Sequence, residues 1–209
     1  MQRPSPRRLA LLLLGCLTLG TGVAMLLTAD LGSDGFSTLV NGLSIGGEMP
    51  FLVANIVISV GFLVISAVRR VWPGLGTIVQ IGVVGFTVSF LLPVLDTPES
   101  VVGQSVLLVA AFPVLALGIA VYLGTHLGAG PAEAAALAWD PPVPFRWSYG
   151  AVQGLSALIG WLLGATIGPG TLAVILVLGP VVALFSRLLR LDVHQGSASQ
   201  DPKGQDSTD

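Results

Sequence analysis

A Gly-x-Ser-x-Gly pattern, which in some hydrolases holds a nucleophilic serine on a sharp turn, occurs at Gly42-Leu43-Ser44-Ile45-Gly46. Such a serine needs a base within hydrogen-bond reach. The two histidines are His126, predicted on the opposite side of the membrane, and His194, in the C-terminal tail. With 27 glycines in 209 residues, the pattern also arises readily by chance. We therefore predict that this protein is not an enzyme.

The sequence lacks the residues that metal binding, phosphate binding and nucleic-acid binding need. Two distant histidines, one cysteine and scattered carboxylates offer no metal-ligand spacing. No Gly-Lys-Ser or Gly-Lys-Thr follows the glycines, as a phosphate-binding loop requires. The formal net charge is -2, and no basic cluster could follow a nucleic-acid backbone. We predict no cofactor, no metal and no nucleic-acid partner.

One short pattern occurs twice. The sequence Ala-Asp-Leu-Gly-Ser-Asp-Gly at 29–35 recurs as Thr-His-Leu-Gly-Ala-Gly-Pro at 125–131, an offset of 96 residues (29 to 125). Leu-Gly-Thr at 75–77 recurs as Pro-Gly-Thr at 169–171, an offset of 94 (75 to 169). Landmarks in the same order and with nearly constant spacing predict a duplicated structural unit.

Charged side chains flank the two repeated loops and are candidates for binding a solute or a proton. Asp30 and Asp34 flank the first loop, and His126 and Glu133 flank the second. An alternative is that such residues lie at the membrane interface, where charge costs little. Other polar residues of the apolar segments, among them Gln80 and Tyr122, are expected mainly to form bonds between helices.

The composition places these loops in a membrane protein. Hydrophobic residues make up 53% of the chain and charged residues 10%, with a mean hydropathy of +0.88. Soluble domains carry roughly 25% charged residues. The predicted class is an all-α polytopic membrane protein in contact with the lipid bilayer.

Six segments are long and apolar enough to cross a bilayer core, which needs about 20 residues. With the N-terminus in the cytoplasm, every Lys and Arg falls on the inner side, as the positive-inside rule requires. Both termini are therefore predicted to be cytoplasmic. The predicted spans are 9–28, 51–68, 74–95, 104–123, 147–165 and 170–190.

Three spans per unit is an odd number, so the second unit must enter the membrane from the opposite side. The result is two inverted three-helix repeats, each with a short re-entrant or interfacial helix. The short helices are predicted at 36–45 and 131–139. The predicted division is a cytoplasmic N-terminus at 1–8, repeats at 9–95 and 104–190, an extracytoplasmic linker at 96–103, and a disordered cytoplasmic tail at 191–209.

The order of motifs resembles the YczE/YitT-like group of bacterial integral membrane proteins. The resemblance lies in Ala-Asp-Leu-Gly at 29–32, Gly-Leu-Ser at 42–44, Leu-Gly-Ala-Gly-Pro at 127–131, Gly-Trp-Leu-Leu-Gly at 160–164 and Gly-Pro-Gly-Thr at 168–171. It implies the fold and a bacterial plasma (inner) membrane location. Where relatives carry an Arg/Glu pair at the start of the fifth span, this chain has Tyr149 and Gln153.

The leading functional prediction is a small-solute transporter or carrier with its site between the repeats. Because the interior has almost no fixed charge, a neutral or zwitterionic solute is expected. The alternative is a non-transporting scaffold or accessory factor for a partner enzyme or secretion system, and a homodimer is possible through the glycines of the fifth span. The candidate substrate-binding residues are Asp30, Gly32, Asp34, His126, Gly128, Glu133, Tyr149 and Gln153.

Overall fold

The computed structural model describes residues 5–140 and 142–189, apart from the side chain of Arg146. The predicted tail at 191–209 lies outside the described residues, as does part of the predicted N-terminal segment. Every regular element of the described residues is helical. The helices are α1 (Pro6–Thr28), α2 (Gly35–Gly46), α3 (Phe51–Val68), α4 (Leu75–Leu91), α5 (Val101–Leu123), α6 (Pro131–Leu137), α7 (Phe145–Leu162) and α8 (Pro169–Leu188).

Four of these helices, α1, α3, α5 and α8, are long and apolar enough to cross a membrane. Helix α4 is apolar but has only 17 residues, and α7 is interrupted by polar residues such as Tyr149 and Gln153. Large hydrophobic side chains are exposed on the outer faces, including Val64 and Phe90. A water-soluble surface would not present such a wide apolar area. The helices therefore indicate a polytopic, membrane-embedded protein.

Helices α1 and α5 form the antiparallel centre of the bundle. A Cβ added to Gly15 would meet the backbone of Tyr122, and one added to Gly22 would meet the backbone of Leu115. These glycines let the two backbones approach closely, as small residues do at crossings of membrane helices. The core of the protein lies along this contact, where Leu12 and Cys16 are fully buried.

The short helix α2 packs parallel to α7. Gly35 lies against the backbone of Gln153 and Gly42 lies against the backbone of Gly160. Gln153 is the ninth residue of the 18 in α7. At 1.5 Å per residue, α2 therefore begins about 12 Å along α7. The loop that leads into α2 thus reaches the middle of the bundle.

The other short helix, α6, packs against α3 and α7. Its C-terminal end lies beside the end of α3, because Arg69 Nε donates a hydrogen bond to the carbonyl of Ala138 at 3.0 Å. The Arg69 guanidinium also lies over the ring of Trp139. Since α6 has seven residues, its N-terminus lies roughly 10 Å deeper in the bundle than this contact.

Each of the two repeated loops is fixed to the start of a helix from the other half of the chain. The N–H of Gly170 donates to the carbonyl of Leu31 at 2.7 Å, and the N–H of Gly76 donates to the carbonyl of Leu127 at 2.7 Å. Asp30 and His126 both have positive φ, 52° and 53°. The two loops therefore have the same positive φ before their leucine, and each bonds in the same way to the first turn of a helix in the other half.

Helix α8 departs from α-helical geometry over Val174–Leu178, which form a π-helical segment. Pro180 follows within the same helix. Proline has no N–H to donate, and its ring clashes with the carbonyl four residues earlier in an α-helix. The wider π turn relieves that clash, so the irregularity has a local cause in the sequence.

Candidate functional site

Asp34 lies at the N-terminus of α2, in the interior of the bundle. It caps the helix, and one of its carboxylate oxygens accepts a hydrogen bond from the N–H of Ser37 at 3.0 Å. Burial raises the pKa of Asp34, and its hydrogen bonds from Ser37 act in the opposite direction. The positive end of a helix dipole also favours the ionised carboxylate. The net effect is a pKa of Asp34 above its ordinary value, although the hydrogen bonds of the helix N-terminus favour the ionised carboxylate.

Glu133 lies in the first turn of α6, the second short helix. A Cβ built on Gly130 would meet both a carboxyl oxygen of Glu133 and the Oε1 atom of Gln80. Burial raises the pKa of Glu133, and the charge of Asp34 raises it further. The two carboxyls thus interact electrostatically, although they belong to different halves of the chain.

Tyr149 and Gln153, one turn apart on α7, form a hydrogen-bonded pair near the two carboxyls. Gln153 Nε2 donates to the Tyr149 hydroxyl at 2.9 Å. Gln153 Oε1 accepts from the N–H of Phe36 at 2.9 Å, which ties α7 to the first turn of α2. Tyr149 lies within electrostatic reach of both Glu133 and Asp34. Hydrogen bonds therefore connect Tyr149 and Gln153 to α2, and the electrostatic interaction of Tyr149 extends this set to Glu133 on α6.

Two further polar side chains complete this set. Tyr122 is 1% exposed, and its hydroxyl lies near the backbone of Gly130 without a hydrogen bond of good geometry, within electrostatic reach of Glu133 and Tyr149. The Oε1 atom of Gln80, beside Glu133, is likewise buried without a partner. Native proteins satisfy most buried polar atoms, so two such atoms at one carboxyl require an explanation. We call these six residues the central polar cluster: Asp34, Gln80, Tyr122, Glu133, Tyr149 and Gln153.

The structure does not bring all of the predicted site residues together. Asp30 is exposed and accepts a hydrogen bond from Thr166 Oγ1 at 2.5 Å, away from the cluster. His126 is exposed at the corresponding place of the second loop. Gly32 and Gly128, with φ of 97° and 142°, shape the loops without a side chain.

For Gln80 and Tyr122 the sequence predicts bonds between helices and no role in the site, and the structure places both near Glu133. Their single sequence signal is a polar side chain within an apolar segment. Asn55 has the same signal and does form such a bond, since its Nδ2 donates to the carbonyl of Ile81 at 2.8 Å. The signal alone does not separate a packing residue from a residue of the cluster.

Recesses occur near the ends of both short helices. One, about 330 Å³, lies where α3 and α6 end. The other is only about 10 Å³ and lies beside Asp30 and Thr166. The larger recess is lined by Val68, Arg69, Arg70, Val71, Leu137, Ala138 and Asp140.

Apolar helices packed around a central polar cluster define an integral membrane protein with a polar interior. Residues 6–187 match a family of unknown function, DUF6198, and the chain belongs to that family. An uncharacterised protein of Haemophilus influenzae is 25% identical over 187 residues, which cover 88% of this chain and 85% of that protein. No solved structure matches. The resemblance to the YczE/YitT-like group stays a prediction.

Proposed function

We propose that this protein is a membrane carrier for a small neutral or zwitterionic solute, bound at the central polar cluster. Six spans form two inverted three-helix repeats, and α2 and α6 are their re-entrant helices. The observation on which the proposal depends most is that the N-termini of both short helices bear a carboxyl, and that Tyr149, hydrogen-bonded to Gln153, lies within electrostatic reach of both carboxyls.

The inverted arrangement is supported by contacts that occur twice at the offset of the sequence repeat. Gly170 bonds to Leu31 as Gly76 bonds to Leu127. Val71 N–H donates to Ser66 O at the end of α3, and Ala165 N–H donates to Gly160 O at the end of α7. A two-fold axis in the membrane plane would relate both pairs of contacts.

The chemistry of the cluster suits a zwitterion. The N-termini of α2 and α6 already carry Asp34 and Glu133, so the carboxylate of an amino acid would bind to the hydroxyl and amide donors of the cluster. An ionised Asp34 would attract a protonated amino group, and the hydroxyl and amide groups of Tyr149 and Gln153 can accept or donate hydrogen bonds. Carriers with interrupted helices bind their substrates at such half-helix ends near the midplane.

Alternating access would use the recesses at the two ends of the cluster. The recess of about 330 Å³ lies on the side that the positive-inside rule assigns to the cytoplasm, because Arg69 and Arg70 line it. The opposite recess, of about 10 Å³, holds the bond between Asp30 and Thr166. We assign this arrangement to a state closed to the outside.

Metabolite profiling of a deletion strain tests the proposal. We expect at least one small neutral or zwitterionic metabolite to differ between cells and medium in the deletion strain, and wild-type protein to restore it. The double variant Asp34→Asn, Glu133→Gln should restore it poorly. Glu99→Gln, in an exposed loop, is the matched control and should restore it fully.

Identical metabolite distributions in deletion and complemented strains would overturn the carrier proposal. That result would favour the alternative, a scaffold or accessory factor, for which two interacting carboxyls inside the bundle have no use. If the double variant restores the metabolite to the wild-type level, the protein transports it, but the central polar cluster is not the transport site.

A further inference from the structure

Two buried atoms without partners, Gln80 Oε1 and the Tyr122 hydroxyl, lie near Gly130, whose Cβ position also faces a carboxyl oxygen of Glu133. Gln80 Oε1 is an acceptor without a donor, and the Tyr122 hydroxyl has no partner although it can donate. Gln80 Oε1 lies with a Glu133 carboxyl oxygen against Gly130, and Tyr122 is electrostatically coupled to Glu133. An unsatisfied buried polar atom costs about 1–3 kcal/mol, so both atoms need a state in which they are satisfied.

We infer that Glu133 is a proton-binding site of the protein, and that Gln80 and Tyr122 are the partners of its two protonation states. The protonated carboxyl donates its O–H to Gln80 Oε1. When the O–H bond breaks, the proton passes to a water molecule that reaches the carboxyl from the recess at the ends of α3 and α6. The electron pair stays on Glu133, and the carboxylate then accepts a hydrogen bond from the Tyr122 hydroxyl.

The surroundings of Glu133 favour the protonated state when the cluster is closed. Among the described side chains, the titratable groups that face it are Asp34, Tyr122 and Tyr149. Helix α3, which packs against α6, has no titratable residue between Phe51 and Val68. The side chain of Arg146, on α7, lies outside the described part. Asp34 caps α2 and accepts a hydrogen bond from the N–H of Ser37, whereas no side-chain hydrogen bond holds the Glu133 carboxyl among the described residues, so we place the proton on Glu133.

The proposed carrier would use this proton for coupling, because intramembrane carboxyls commonly relay protons in transporters. This coupling role rests on the proposed function. The binding of the proton does not, and it can be measured on the purified protein without any solute.

Infrared spectroscopy of the purified protein in lipid nanodiscs tests the inference. The chain has three glutamates, and Glu48 and Glu99 are exposed. At pH 7 we expect the C=O stretching band of a protonated carboxyl, and ¹³C-labelled glutamate should shift it. The band should be absent in Glu133→Gln and unchanged in Glu99→Gln. The isotope label needs no substitution, so the test holds even where a variant fails to fold.

Titration of this band separates proton binding from a merely structural role. Gln80→Leu removes the acceptor of the protonated form and should lower the midpoint pH. Tyr122→Phe removes the donor to the carboxylate and should raise it. Each shift should be roughly 0.5–1 pH unit, the size of one hydrogen bond.

The inference fails if no protonated-carboxyl band exists at pH 7. It also fails if ¹³C-labelled glutamate does not shift the band and ¹³C-labelled aspartate does. Shifts of both midpoints in the same direction would remove the roles of Gln80 and Tyr122. If the band behaves as expected but the deletion strain shows no change in any metabolite, Glu133 binds a proton and the carrier proposal is wrong. If a metabolite changes but the band is absent, the carrier proposal stands and the proton site at Glu133 is wrong.

Discussion

The N–H of Gly170, at the start of α8, donates to the carbonyl of Leu31 at 2.7 Å, although the two residues lie in different halves of the chain. A Cβ on Gly170 would meet the carbonyls of Leu31 and Gly32, so the backbones touch directly. The loop before α2 is therefore held by the first turn of α8 and cannot move independently of it. This contact couples the exposed Asp30 to the loop that carries Asp34 inward.

Replacement of Gly160 tests the contact between α7 and α2. Its added Cβ would meet the backbone of Thr38, which cannot move aside as a flexible side chain could. We expect Gly160→Ala to lower the free energy of unfolding by about 1–3 kcal/mol, in the range of overpacked cores. The melting temperature should fall by several degrees, measured by thermal unfolding in detergent.

Gly154→Ala, on the same helix, is the control. A Cβ there has open space around it, and alanine is the better helix former by about 1 kcal/mol. Its melting temperature should equal or exceed that of the wild type. Equal behaviour of the two variants would show that α2 does not pack on α7 in the way described.

The helical class, the short helices and the recurrence of the two loops can be predicted from the sequence because they depend on local and periodic signals, whereas the bonds of the loops to Gly76 and Gly170 cannot. Apolar length, glycine spacing and the recurrent Leu-Gly loop are readable without a partner. The cluster was only partly predictable, since Glu133, Gln80 and Tyr122 come from three helices and only folding brings them together. The apolarity of α7 was overestimated, because its polar residues lie within an otherwise hydrophobic stretch.

The pH dependence of stability provides a second prediction. Burial raises the pKa of Glu133 above its ordinary value of 4.5. The folded state therefore binds a proton that the unfolded state has released, and this stabilisation is lost as the pH rises through the raised pKa. We expect the wild-type melting temperature to fall as the pH rises from the ordinary pKa of glutamate to the raised one, and Glu133→Gln to lessen this slope. Glu99→Gln should keep the wild-type slope, and an unchanged slope in Glu133→Gln would contradict the burial of this carboxyl.

The orientation of the chain gives a third prediction. Thr97 and Arg70 are exposed, and Cys16 is buried, so single cysteines can be placed in the wild-type background. We expect cysteine at position 97 to react with an impermeant maleimide in intact cells. Cysteine at position 70 should react only after permeabilisation, because the basic loops are assigned to the cytoplasm. Labelling at position 70 in intact cells would contradict the orientation and the inverted repeats.

The last prediction compares two threonines that occupy the same place in the repeated pattern. Thr77 Oγ1 donates to the carbonyl of Ala129 at 2.6 Å and accepts from the N–H of Gly74 at 3.2 Å. Thr171 Oγ1 is buried and has no partner. Valine has nearly the shape of threonine without the hydroxyl, so the substitution isolates the hydrogen bonds.

Thr77→Val should lower the free energy of unfolding by about 1–3 kcal/mol, since it leaves the Ala129 carbonyl and the Gly74 N–H without their partner. Thr171→Val should be neutral or slightly stabilising, because it removes an unsatisfied hydroxyl from the interior. Both are measured as melting temperatures in the same detergent. Equal losses in the two variants would mean that Thr171 also holds its loop through a bond. In that case Thr171 would hold the first loop as firmly as Thr77 holds the second loop.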